Sequence, residues 1–203
     1  MTTISAPMMP SAVRLPQGRR APLLSSPMLA MLIFIAVELM FFAGLMSAWS
    51  IVKSTAAPGA WPPPFQPRLP IETTAVNTAI LLASGVLGWL ARRAQVADRG
   101  SSRARTLLLG AVALGVAFVA FQGFEWVRLL GEGLTMRSST FGSFFYLIVG
   151  AHALHALVGL GALLWSWRRM RSGSLADSHR DAVLALWTFV VALWPALYVA
   201  VYL

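Results

Sequence analysis

The 203-residue chain has no cysteine. Disulfides, thiolate zinc sites, iron–sulfur clusters and cysteine-attached c-type haem are therefore excluded. Histidine is nearly absent too, with three in all. That is too few for a haem-plus-copper centre, which draws several imidazoles from several helices. Charge is scarce: 11% of residues are charged, against about a quarter in a soluble domain. What is left is apolar, 58% of the chain. A water-soluble fold has no place for that much apolar surface. The composition predicts an integral membrane protein, and the length predicts one bundle.

Five apolar runs are long enough to cross about 30 Å of hydrocarbon. They cover about 28–51, 71–91, 106–130, 140–167 and 182–203. The fold class expected is an all-α bundle of five transmembrane helices. Residues 1–27 are polar, basic and Pro-containing, and read as a disordered cytoplasmic tail. The first run is too long for a secretory h-region of about 7–15 residues, and Glu38 sits at its centre. It is read as a helix of the mature protein. The connection "PGAWPPPFQPRLP" holds six of the twelve prolines and reads as a stiff spacer. The small pairs Ser84/Gly88 and Ala111/Gly115 allow close helix approach.

Fifteen of the sixteen basic residues are arginine, Lys53 being the exception. They alternate from loop to loop. The N-terminal tail and the connections after the second and fourth runs carry twelve, against four on the other side. By the positive-inside rule the N-terminus is cytoplasmic and the C-terminus faces out. The basic balance thus reflects topology and excludes a nucleic-acid partner. Trp49, Trp89, Trp126, Trp165 and Trp167 fall at helix ends, where an indole N–H reaches headgroups.

Ionisable groups inside the membrane are costly and mark function or partner contact. Glu38 lies about 15 Å along the first helix from its inner end, and His155 about 18 Å along the fourth, at ~1.5 Å per residue. His152 and His155, at i and i+3, share a helix face. Together Glu38, His152 and His155 are expected to form one buried, proton-linked polar cluster. Asn77 and Glu125 form a candidate second cluster nearer the outer side. Two histidines supply half a tetrahedral shell, so the pair reads as interhelical hydrogen bonding. Neither a metal site nor a catalytic residue is assigned.

The segments "FIAVELMFFAGL" (34–45), "TAVNTAILLASG" (74–85), "FQGFEW" (121–126), "GLTMRSSTFGSFFYLIVGAHALHALVGL" (133–160) and "LWTFVVALWPALYVAVYL" (186–203) resemble subunit III of haem–copper terminal oxidases. The likeness runs in order through nearly the whole chain from the first helix onward. It implies a helical subunit that packs on catalytic subunit I, binds no cofactor itself and leaves haem and copper to partner subunits. It also implies a role in proton uptake, in protecting the catalytic subunit during turnover and in holding structural phospholipids. In that resemblance Glu38 matches the buried family carboxylate, and Glu125, His152 and His155 match the Glu and His-x-x-His of later helices. The location implied is a bacterial cytoplasmic membrane.

Two features depart from the pattern. Longer members have seven helices with a lipid-filled cleft, where this chain has five. The family's Trp-His-Phe-Val-Asp reads Trp187-Thr188-Phe189-Val190-Val191 here, and Pro195 is expected to kink the helix or mark a contact. The alternatives are a subunit-III-like protein linked to nitric oxide reductase, a quinol oxidase subunit III and, from another class, a small proton-coupled transporter. The last lacks the internal repeat and broken helices of that architecture.

Overall fold

The computed structural model describes residues 25–57, 60–64 and 66–203. Five α-helices follow one another: α1 (Ser26–Thr55), α2 (Ile71–Ala97), α3 (Ser102–Gly131), α4 (Thr140–Arg171) and α5 (Asp177–Tyr202). Each is long and apolar enough to span a membrane, so the all-α, five-span expectation holds. Most of the expected tail, residues 1–24, lies outside the described residues. Its last two positions, Ser26 and Pro27, belong to α1. Proline is tolerated there because a first-turn N–H has no helical partner in any case.

At their arginine-rich ends α2, α3, α4 and α5 extend four to six residues beyond the apolar runs. The helix persists after hydropathy stops, because arginine is a good helix former and its stem can reach back along the hydrocarbon edge. Local chemistry then ends it. Gly133 and Gly173 take positive φ after α3 and α4, with Leu134 N–H bonding to Leu129 O and Ser174 N–H to Arg169 O, the pattern of a helix ended by glycine. Ser101 and Ser139 cap the starts of α3 and α4 by accepting from Ala104 and Gly142 N–H.

Helices α2, α3, α4 and α5 form a closed ring, each touching the next, and α1 lies outside against α5 and the edge of α4. Only Phe42 and Trp49 of α1 are buried, whereas α5 buries fourteen residues. Between lipid-immersed helices the hydrophobic effect supplies no attraction, so packing and hydrogen bonds must hold the ring. Trp187 does much of this. A Cβ on Gly115 or Gly159 would come within 2.9 Å of its indole, so both positions must be glycine. Its N–H donates to Ser84 Oγ (3.2 Å), and Ser84 in turn donates to Ala111 O (2.7 Å). Pro195 lies inside α5 without ending it.

Trp49 departs from the headgroup role expected of it. Its indole is 1% exposed and donates to Ala200 O at 2.8 Å, because the end of α1 closes over α5. Trp61 of the proline-rich connection stacks edge-on against Trp49 and Phe141, which pins that connection to the end of α1 and the start of α4. Trp89 and Trp165 do remain exposed, with Arg93 and Arg169 over their rings; Trp167 carries Arg171 in the same way.

Candidate functional site

The apolar run of α1 places Glu38 mid-helix, on the side turned to α4. Its Oε2 lies 3.1 Å from His155 Nε2, with 18% and 13% of the two side chains exposed. Phe34, Phe42 and Phe189 ring the imidazole at centroid distances of 6.1, 5.5 and 6.3 Å. His155 Nδ1 stands 2.7 Å from Ala151 O, one turn back. A carbonyl only accepts, so Nδ1 carries a proton. In a neutral imidazole Nε2 is then the bare acceptor. A proton at the Glu38–His155 contact sits either on the carboxyl beside a neutral ring or on the ring facing a carboxylate. Both forms have zero net charge, which is the arrangement a low-dielectric interior tolerates.

His152 does not join this pair. Two residues at i and i+3 are about 60° apart around a helix, and α4 is held by α1 on one flank and α3 on the other. His152 turns to the ring interior, 1% exposed, with centroids 4.8 Å from Trp194 and 6.3 Å from Phe118. Neither of its ring nitrogens has a hydrogen-bond partner. The expected three-residue cluster is thus corrected to Glu38 with His155, while His152 belongs to the aromatic core.

Asn77 and Glu125 lie on facing turns of α2 and α3, and neighbours bridge each of them to the opposite helix. Thr73 Oγ1 donates to Glu125 Oε1 (3.1 Å). Asn77 Nδ2 donates to Phe118 O (3.1 Å) and weakly to Gln122 Oε1 (3.5 Å). Gln122 Nε2 donates to Tyr202 Oη (3.1 Å), and Trp194 Nε1 to Thr78 Oγ1 (2.9 Å). Thr73, Thr78, Gln122 and Tyr202 were invisible as site residues in the sequence. The available signal was spacing: Gln122 precedes Glu125 by three, and Thr74 and Thr78 flank Asn77 on one face.

The histidines diverge: His179 lies at the start of α5 beside Trp165, far in sequence from the other two. Among the described residues no group of three His, Asp or Glu is placed to hold a metal. What the arrangement can do chemically is keep a proton between Glu38 and His155 and fasten helices through buried polar bonds.

The chain as a whole is similar to known proteins. The family model described as cytochrome c oxidase subunit III matches residues 19–203. Cytochrome c oxidase subunit 3 of Dasypus novemcinctus is 32% identical over 181 residues, covering 85% of this chain and 67% of that protein. The subunits 3 of Tragelaphus imberbis and Tragelaphus oryx are each 31% identical, covering 92% of this chain and 73% of theirs. The matched range spans all five helices. This multi-pass membrane protein, a subunit of an oxidase complex, belongs to the cytochrome c oxidase subunit III family.

Proposed function

We propose that this subunit carries no redox centre and serves the catalytic subunit of a respiratory, proton-translocating oxidase. It packs on that subunit, stabilises it and supports its proton uptake. Haem and copper reside in partner subunits, and structural phospholipids complete the assembly. The membrane is the bacterial cytoplasmic membrane, with the N-terminus and the arginine-rich connections inside. The kinship favours this reading over a nitric-oxide-reductase-linked protein, a quinol oxidase subunit or a transporter.

The observation that carries it is the Glu38–His155 contact at 3.1 Å. A shared proton among aromatic rings, at the seam between the outlying helix and the ring, can be handed on and replaced while its charge stays local. Glu38→Gln keeps a hydrogen bond to His155 and removes the exchangeable carboxyl proton. In the oxidase purified through a tag on this chain, the variant should assemble normally, yet take up protons severalfold more slowly and lose activity sooner during turnover. Unchanged proton uptake and unchanged turnover lifetime would sink the assignment.

A further inference from the structure

Between α3 and α4 lies a cavity of about 150 Å³. Val119, Gly123 and Trp126 of α3 and Val149, Ala153 and Leu157 of α4 form its sides. The buried Phe118, His152 and Trp194 form its floor. Gly123 and Leu157 are exposed on the outer surface of the ring, so the cavity opens sideways into the membrane. Among the described residues no Asp, Glu, Lys or Arg lines it.

Three ring nitrogens of the lining have no hydrogen-bond partner. They are Nδ1 and Nε2 of His152, a side chain 1% exposed, and Nε1 of Trp126. Gln122, the remaining polar residue of the lining, is already engaged, donating to Tyr202 and accepting from Asn77. Buried polar groups are nearly always paired, so this set calls for a partner, and its pattern selects one. Trp126 offers a donor, and a neutral imidazole offers one donor and one acceptor. A hydroxyl can donate to the bare imidazole nitrogen and still accept from an N–H. An ether, a carbonyl or a hydrocarbon has nothing to donate.

Size points the same way. A cavity of about 150 Å³ with apolar walls takes a benzene-sized ring and stays dry. An acyl chain fits the walls but leaves every nitrogen unpaired, and an α-helix about 10 Å across does not enter. We propose that the α3–α4 cavity binds the hydroxylated ring of a membrane-dissolved phenol, its O–H donating to His152 and its ring lying among Val119, Val149 and Ala153. Rings of this chemistry occur in lipid as hydroquinones and as alkylphenols. The site is separate from the Glu38–His155 pair, which lies on another side of α4.

The test uses the whole oxidase, purified in mild detergent through a tag on this chain and held inert with cyanide. Phenol, anisole and benzene, each bearing the same diazirine, are photo-crosslinked at rising concentration. Mass spectrometry then maps saturable labelling of residues 118–126 and 149–157. Phenol should half-saturate at about tenfold lower concentration than anisole or benzene, the effect of one added hydrogen bond. His152→Phe keeps an aromatic ring against Trp194 and should erase that preference. Gly123→Leu, at a position where an added Cβ meets nothing within 4 Å, should abolish saturable labelling by all three probes. His179→Phe at the start of α5 is the control and should label as the wild type does. Competition by a short-chain ubiquinol and by para-hexylphenol separates the two sources, the tighter competitor naming the class of natural ligand. Equal half-saturation by the three probes, a preference that survives His152→Phe, or labelling displaced by neither competitor would overturn the proposal. If His152→Phe fails to assemble, the ranking of phenol against anisole in the wild type decides. Proton uptake measured on a cyanide-free portion reports separately on the function proposed above.

Discussion

Trp187 occupies a space cut to an indole by Gly115 and Gly159. Adding a methyl at either glycine forces that indole off its seat and away from Ser84 Oγ. Overpacking of this kind costs about 1–3 kcal/mol. Gly115→Ala and Gly159→Ala should each lower the thermal midpoint of the purified complex, while Gly161→Ala, whose added Cβ meets nothing within 4 Å, should leave it unchanged. The Glu38–His155 pair makes a different kind of prediction. His155→Leu strands Glu38 in the membrane, at about 2.5–3.5 kcal/mol if the carboxylate stays charged. Glu38→Leu combined with His155→Leu removes both groups and should recover much of that loss. A double variant no more stable than His155→Leu alone would show that the pair is not coupled.

Among the helices, α1 is the least secured. Two buried residues, the Trp49 bond to Ala200 O and the Glu38–His155 contact attach it to the ring. Trp49→Phe deletes the first of these bonds, worth about 0.6–1.7 kcal/mol between membrane helices. Limited proteolysis after mild heating should then release α1 first, with α2–α5 still protected. The helices themselves were legible in the sequence because an apolar run of spanning length has few alternatives. Their ends were less so, since hydropathy marks the hydrocarbon edge and not the last helical hydrogen bond. Trp49 was misread for a related reason: position along a helix gives depth, but the face depends on a neighbour that only the fold supplies.

Glu38 and His155 could be matched by depth alone, so this contact was within reach of arithmetic on the chain. Which way His152 turned was not, because the 60° between the two histidines matters only once α1 and α3 are placed on either side of α4. The arginine–aspartate network at the start of α5 was likewise hidden, its members lying 89 and 78 residues apart for Arg92–Asp181 and Arg99–Asp177. Orientation across the membrane is open to direct test, and the absence of cysteine makes the native chain a ready background for it. Met136→Cys lies in the α3–α4 connection and Ser174→Cys in the α4–α5 connection. A membrane-impermeant maleimide should label the first in intact spheroplasts and the second only after permeabilisation. The reverse pattern would invert the topology.

The position of α5 bears on how the protein is made. It touches α1, α2 and α4, yet it follows all of them in the chain. Until the ribosome has delivered it, Thr78 lacks the indole of Trp194, Gln122 lacks Tyr202, and α1 has little to rest on. The α2–α3 hairpin, already joined through Ser84 and Ala111, can wait in the bilayer; the rest cannot close. Translation of α5 is therefore the step that turns a set of inserted helices into a subunit. A chain stopped before it would reach the membrane with its polar groups uncovered, where proteases that survey the bilayer can remove it before it meets a partner.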